Sequence, residues 1–133
     1  MTVVLDASAV LALLLSEAGA AKVAGVLAGS QMSAVNYAEV FTHYAKLGSS
    51  KADIENVLGA LPIVIVPLSG ELAKAAGMLR PLTIEAGLSL GDRCCLEHLS
   101  SCQIRWGFPS WSFSDSSCVL AREAGMHDQG AVD

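Results

Sequence analysis

Thr2-Val3-Val4-Leu5-Asp6-Ala7-Ser8-Ala9 decides how this chain is read. Four β-branched or apolar residues make a short strand, and an acid then leads straight into the helix-favouring run Ala9 to Glu17. The pattern recurs downstream. Ala20 to Ala28 carries small and apolar residues at helical spacing and stops at Gly29-Ser30, Gln31 to Ser33 is a brief strand, and Ala34 to Lys46 is a helix closed by Gly48. Ser50 caps a helix over Lys51 to Ala60, Ser69 caps another from Glu71 to about Leu79, and Ser89 opens a third. Between them Ile63 to Val66, all β-branched and flanked by Pro62 and Pro67, predicts a strand buried on both faces. Short strands alternating with helices predict an α/β fold with a parallel sheet wrapped by helices, because parallel neighbours need crossovers of about helix length. In such sheets sites form at the carboxyl ends of the strands, and Asp6 stands at one of them.

The composition limits the alternatives. A chain of 133 residues suits a single domain, 1–133, able to bury about two thirds of the surface it exposes when unfolded. With 53% hydrophobic and only 16% charged residues it is too apolar for disorder, and it fits a sheet covered on both faces. Its longest apolar runs, Val10 to Leu15 and Leu61 to Leu68, fall short of the roughly 18 residues of a membrane helix. Ala7 to Leu15 imitates the apolar part of a secretion signal, yet no Lys or Arg precedes Lys22 and Asp6 stands where a positive segment belongs. The expectation is a cytoplasmic chain with no membrane contact. Cys94, Cys95, Cys102 and Cys118 offer no Cys-x-x-Cys spacing and read as buried free thiols. A net charge of −5, with eight Lys and Arg, excludes a broad basic footprint for nucleic acid. Any such substrate must be gripped locally, through metal ions, a few basic residues or a dimer groove.

Three acids lie beside apolar segments, which is costly unless charge, metal or hydrogen bonds compensate them. Each has an ordinary explanation. Asp6 reads as a helix N-cap assisted by Ser8; Glu39 shares a helix face with Asn36 and His43; Asp92 follows Ser89 at capping-box spacing. His43 reads as a surface residue. Converging carboxylates, however, repel one another, and one would keep its proton unless a cation neutralised the group. An oxygen-only set selects a hard ion, Mg²⁺ or Mn²⁺, over zinc.

Val4-Leu5-Asp6-Ala7-Ser8-Ala9, Ser33-Ala34-Val35-Asn36-Tyr37-Ala38-Glu39-Val40 and Leu88-Ser89-Leu90-Gly91-Asp92-Arg93-Cys94-Cys95-Leu96 together resemble the PIN domain, most closely its VapC toxin branch. The order and spacing fit over roughly residues 2 to 97. The resemblance implies a three-layer α/β/α sandwich with a central parallel sheet, and a Mg²⁺- or Mn²⁺-dependent endoribonuclease acting as the toxin of a type II toxin–antitoxin pair. It further implies cleavage of tRNA or other structured RNA, a homodimer, and inhibition by a VapB-like antitoxin protein. By motif match Asp6, Glu39 and Asp92 are catalytic residues and metal ligands, Ser8 and Asn36 support the cofactor or position water, and Arg93 is a candidate for phosphate contact.

The resemblance breaks after Glu97. Residues 98–114 hold both tryptophans and two of the three phenylalanines, and the familial pattern resumes only at Asp115, the candidate fourth metal ligand. Translation of about 98–114 out of an ancestral reading frame, restored near Asp115, accounts for such a break, as does simple divergence, and the coding DNA decides between them. The interval from Asp92 to Asp115 is longer than in the family, which weakens Asp115. The tail from Met126 to Asp133 is too polar for a final strand. The competing reading is a catalytically impaired PIN-like module that only dimerises or binds an antitoxin. A flavodoxin-like or receiver domain also carries acids at strand ends, but no glycine-rich phosphate loop is present.

Overall fold

The strand expected at Thr2 to Leu5 forms β1 (Thr2–Leu5), and after Asp6 alone the chain enters α1 (Ala7–Leu14). The computed structural model describes residues 2–101 and 119–122. Asp115, Cys102, Cys118, the tryptophans and the tail from Met126 lie outside the described residues.

After α1 come α2 (Ala20–Val26) and β2 (Ser30–Ser33), which lies parallel to β1 with Val4 opposite Gln31 and Leu5 opposite Met32. Next are α3 (Ala34–Lys46), α4 (Lys51–Gly59) and β3 (Ile63–Val66), the last parallel to β2 from Ser30 opposite Ile63 to Ser33 opposite Val66. The remaining elements are α5 (Gly70–Met78), α6 (Arg80–Thr83), α7 (Leu90–Ser101) and β4 (Val119–Arg122). The fold is therefore α/β, with strand order β3-β2-β1-β4.

Successive residues of a strand point to opposite faces. Val3, Val4 and Leu5 are 2%, 0% and 0% exposed, so both faces of the sheet are covered at β1. Burying each side chain contributes about 2 kcal/mol relative to leaving it in water. Below them Ala9, Val10, Val23, Met32, Val40 and Ile54 close the core.

Two expectations need correction. The sheet is not wholly parallel: β4 runs antiparallel to β1, with Leu5 opposite Val119 and Thr2 opposite Arg122. β3 is also not buried on both faces. It occupies the edge of the sheet, and Val64 is 53% exposed. Four β-branched residues specify a strand, but its neighbours decide how much of it is covered.

The helix boundaries follow local chemistry. The Ser33, Ser50 and Ser69 hydroxyls accept from the backbone N–H groups of Asn36, Asp53 and Leu72 at 3.2, 3.2 and 3.1 Å, and each cap stabilises its helix by about 1 kcal/mol. At the far end of α3 the chain turns at Gly48 with φ +86°, while Gly48 N–H donates to Ala45 O and Ser49 N–H to Tyr44 O. That pair of bonds needs the left-handed conformation glycine adopts freely. α6, one turn containing Pro81, is an element the sequence reading passed over.

Candidate functional site

Asp6 ends β1 and caps α1, its Oδ1 accepting from Ala9 N–H at 2.8 Å. The Ser8 hydroxyl donates to the same carboxylate, 3.1 Å from each oxygen. Asp6 is 3% exposed, so this charge is nearly withdrawn from water. Asp92 opens α7 with reciprocal bonds: Ser89 N–H donates to Asp92 Oδ2 at 2.9 Å, and Asp92 N–H to Ser89 Oγ at 3.1 Å. This is the expected capping box, and it fixes the half-buried carboxylate on the first turn, where the helix dipole favours negative charge. Glu39, an exposed residue, projects from the second turn of α3.

Asn36 joins the three elements. Its side chain is 1% exposed. Oδ1 accepts from Ala7 N–H at 3.3 Å, while Nδ2 donates to Ser33 Oγ at 2.8 Å and to Gly91 O at 3.2 Å. One amide therefore links the starts of α1, α3 and α7, the helix that Asp6 caps and the two that carry Glu39 and Asp92. Ser8 touches an acid directly, whereas Asn36 acts on the backbone that carries them.

The electrostatics show that the acids share one region. Burial, then the charge of Asp92, then that of Asp6, raise the Glu39 carboxyl above its ordinary value of 4.5. Among the described residues no three Asp, Glu, His or Cys side chains form a group that would hold a metal ion as they stand. Glu39 is within electrostatic reach of both Asp6 and Asp92, but the three are not gathered into a closed set of ligands.

A raised folded-state value has a consequence for stability. In the metal-free protein Glu39 keeps its proton where the unfolded chain has lost it, so its contribution is largest at low pH and declines as pH rises from about 4.5 through the raised value. Glu39→Gln is expected to flatten that decline. Chemical denaturation at a series of pH values measures it, and an unchanged slope rejects the assignment.

Other candidates take structural parts. Arg93 donates through Nη1 to Ala76 O at 3.1 Å and through Nε to Ser89 O at 3.4 Å, which ties α5 to the start of α7. His43 is half-buried and packs edge-on against Tyr44 at 5.1 Å. Cys94 and Cys95 are buried, as expected, and in no disulfide among the described residues, and burial pushes the Cys94 thiol up. α7 continues past Glu97, and His98 is buried with Nε2 2.8 Å from Gln31 Oε1. The first residues of the atypical segment thus complete a helix. A cavity of about 280 Å³ is lined by Leu14, Tyr44, Asp53, Ile54 and their neighbours; it includes none of the three acids.

The sequence reading missed Gly91. It is buried, and an added Cβ would stand 2.5 and 2.6 Å from the two Glu39 carboxylate oxygens. Its place immediately before Asp92 was the available signal. No known protein family, curated protein or solved structure matches the chain.

Proposed function

We propose that the chain is a PIN-type endoribonuclease, an α/β/α sandwich dependent on Mg²⁺ or Mn²⁺, acting in the cytoplasm as the toxin of a type II toxin–antitoxin pair. The observation that carries this reading is the placing of acids from three separate elements around Glu39, whose carboxyl is raised by burial first and then by the charges of Asp92 and Asp6. Acids from three elements that repel one another at a strand end form a region that a hard cation would neutralise. The donor set is oxygen only, which suits Mg²⁺ and Mn²⁺. A bound divalent ion would supply charge stabilisation on the phosphodiester and a more acidic water.

The chain's own residues have distinct parts. Asp6 and Asp92 provide the two fixed carboxylates, each held by hydrogen bonds from a helix start. Glu39, the exposed one, completes the ligand set or orients the attacking water. Ser8 holds Asp6 through both oxygens, and Asn36 keeps α1, α3 and α7 in register. The substrate is tRNA or another structured RNA, and a homodimer with a VapB-like antitoxin is the expected assembly. With few basic residues, the RNA would be gripped locally, through metal ions, a few basic residues or a dimer groove.

The test is calorimetric titration of the purified chain with Mn²⁺, followed by incubation with total RNA and sequencing of the new ends. The expected result is Mn²⁺ binding, and cleavage that a chelator stops. Binding without cleavage supports the impaired module. Neither binding nor cleavage rejects the metal-site reading.

A further inference from the structure

The pairing of Glu39 with Gly91 extends this reading to a residue outside the acidic set. The Glu39 carboxylate lies against the Gly91 Cα so closely that an ideal Cβ there would stand 2.5 Å from Oε1, 2.6 Å from Oε2 and 2.7 Å from Cδ. Real Cβ atoms do not approach heavy atoms this closely, so any side chain at 91 must displace the carboxylate. Gly91 is held in place independently, since its carbonyl accepts from the buried Asn36 amide at 3.2 Å. The glycine is not there for its backbone angles. It is helical, and it is absent from the glycines with positive φ, which among the described residues are Gly19, Gly29, Gly48 and Gly87.

We propose that Gly91 is a positioning residue: its missing side chain is the seat on which the Glu39 carboxylate rests beside Asp92, at the junction of α3 and α7. The proposal rests on the metal-site reading for its consequence, though not for its geometry. The carboxylate is the far end of an exposed, flexible side chain, so a methyl group at 91 is accommodated by swinging Glu39 aside and not by moving α7. The fold then survives while the acid leaves its place. Alanine is also the better helix former by up to about 1 kcal/mol, which offsets any residual crowding.

The experiment compares wild type, Gly91→Ala, Glu39→Ala and the double variant. In the metal-free proteins the carbon-13 signal of the Glu39 carboxyl shifts on Gly91→Ala, while the thermal midpoint stays level or rises. An unshifted signal overturns the proposal. In calorimetry, Gly91→Ala weakens Mn²⁺ binding on the order of tenfold or more, as loss of a supporting group at a metal site does. In the Glu39→Ala background the same substitution has no further effect on Mn²⁺ affinity, because its target is gone. Equal Mn²⁺ affinity of wild type and Gly91→Ala overturns the proposal, as does an undiminished effect when Glu39 is absent. If wild type itself binds no Mn²⁺, the metal-site reading falls, and the carboxyl signal alone decides whether Gly91 seats Glu39.

Discussion

Asp6→Asn lowers divalent-metal-dependent RNA cleavage on the order of a hundredfold or more, with the fold intact. The substitution isolates charge from structure. Asparagine caps helices as well as aspartate does, and its amide oxygen can accept from Ala9 N–H as Oδ1 now does. Ser8 also retains a partner, since its hydroxyl can donate to the amide oxygen or accept from the amide nitrogen. Only the negative charge is lost, at a carboxylate 3% exposed and close enough to raise Glu39. Removing one of several like charges also relieves repulsion, so the metal-free variant should be no less stable than wild type. Asp6→Ala is the wrong comparison, because it removes the cap and about 1 kcal/mol with it. Cleavage of an RNA pool in Mn²⁺, with circular dichroism on the same preparations, measures both effects. Full activity in a folded Asp6→Asn protein would end the assignment of Asp6 as a ligand.

Asn36→Ala is expected to be strongly destabilising. It removes three hydrogen bonds and leaves Ala7 N–H buried without its partner, while Gly91 O keeps its place in the α7 ladder. An orphaned buried polar group costs about 1–3 kcal/mol and each further lost bond about 1 kcal/mol, so the change costs roughly 3 kcal/mol after relaxation. That is a large share of the 5–15 kcal/mol typical of a domain, and it lowers the thermal midpoint by about 10 °C. Asn36→Asp separates the contacts: its carboxylate can still accept from Ala7 N–H, but it cannot donate to Gly91 O or Ser33 Oγ. It should also be destabilising, and more so as pH rises and the new charge meets the existing acids. Thermal unfolding of both variants at two pH values tests this, and an unchanged midpoint for Asn36→Ala removes Asn36 as the link between helices.

Legibility in the sequence tracked the range of the interactions. The caps at Ser50 and Ser69 and the Ser89–Asp92 box depend on residues three apart, and the chain states them directly. The far end of α3 was readable through Gly48, whereas Ser33 read as the end of a strand and its cap emerged only in the structure. The exposure of Val64 was not, because it depends on β3 being at an edge, which no residue of β3 encodes. Nor was the direction of β4. At the site, the helical spacing of Asn36, Glu39 and His43 gave them a common face but not their different fates, one buried, one exposed and one packed on Tyr44. Nor did the chain state that Arg93 reaches the Ala76 carbonyl on another helix. Gly91 shows the limit most clearly. Its significance lies in a side chain from another helix, and a glycine in a first turn looks ordinary on its own.

The pairing of β4 with β1 has a consequence for synthesis. The strand that leads into Asp6 leaves the ribosome well before its antiparallel partner, Val119–Arg122, which lies more than a hundred residues downstream. Until that partner arrives, one side of Val3-Val4-Leu5 presents unpaired backbone groups beside apolar side chains, a template for wrong pairing. Non-local closure of this kind is slow, because the whole intervening chain must be ordered first. A nascent chain stopped before Val119 would therefore possess all three carboxylates and every described helix, yet leave its central strand open to whatever strand it meets first.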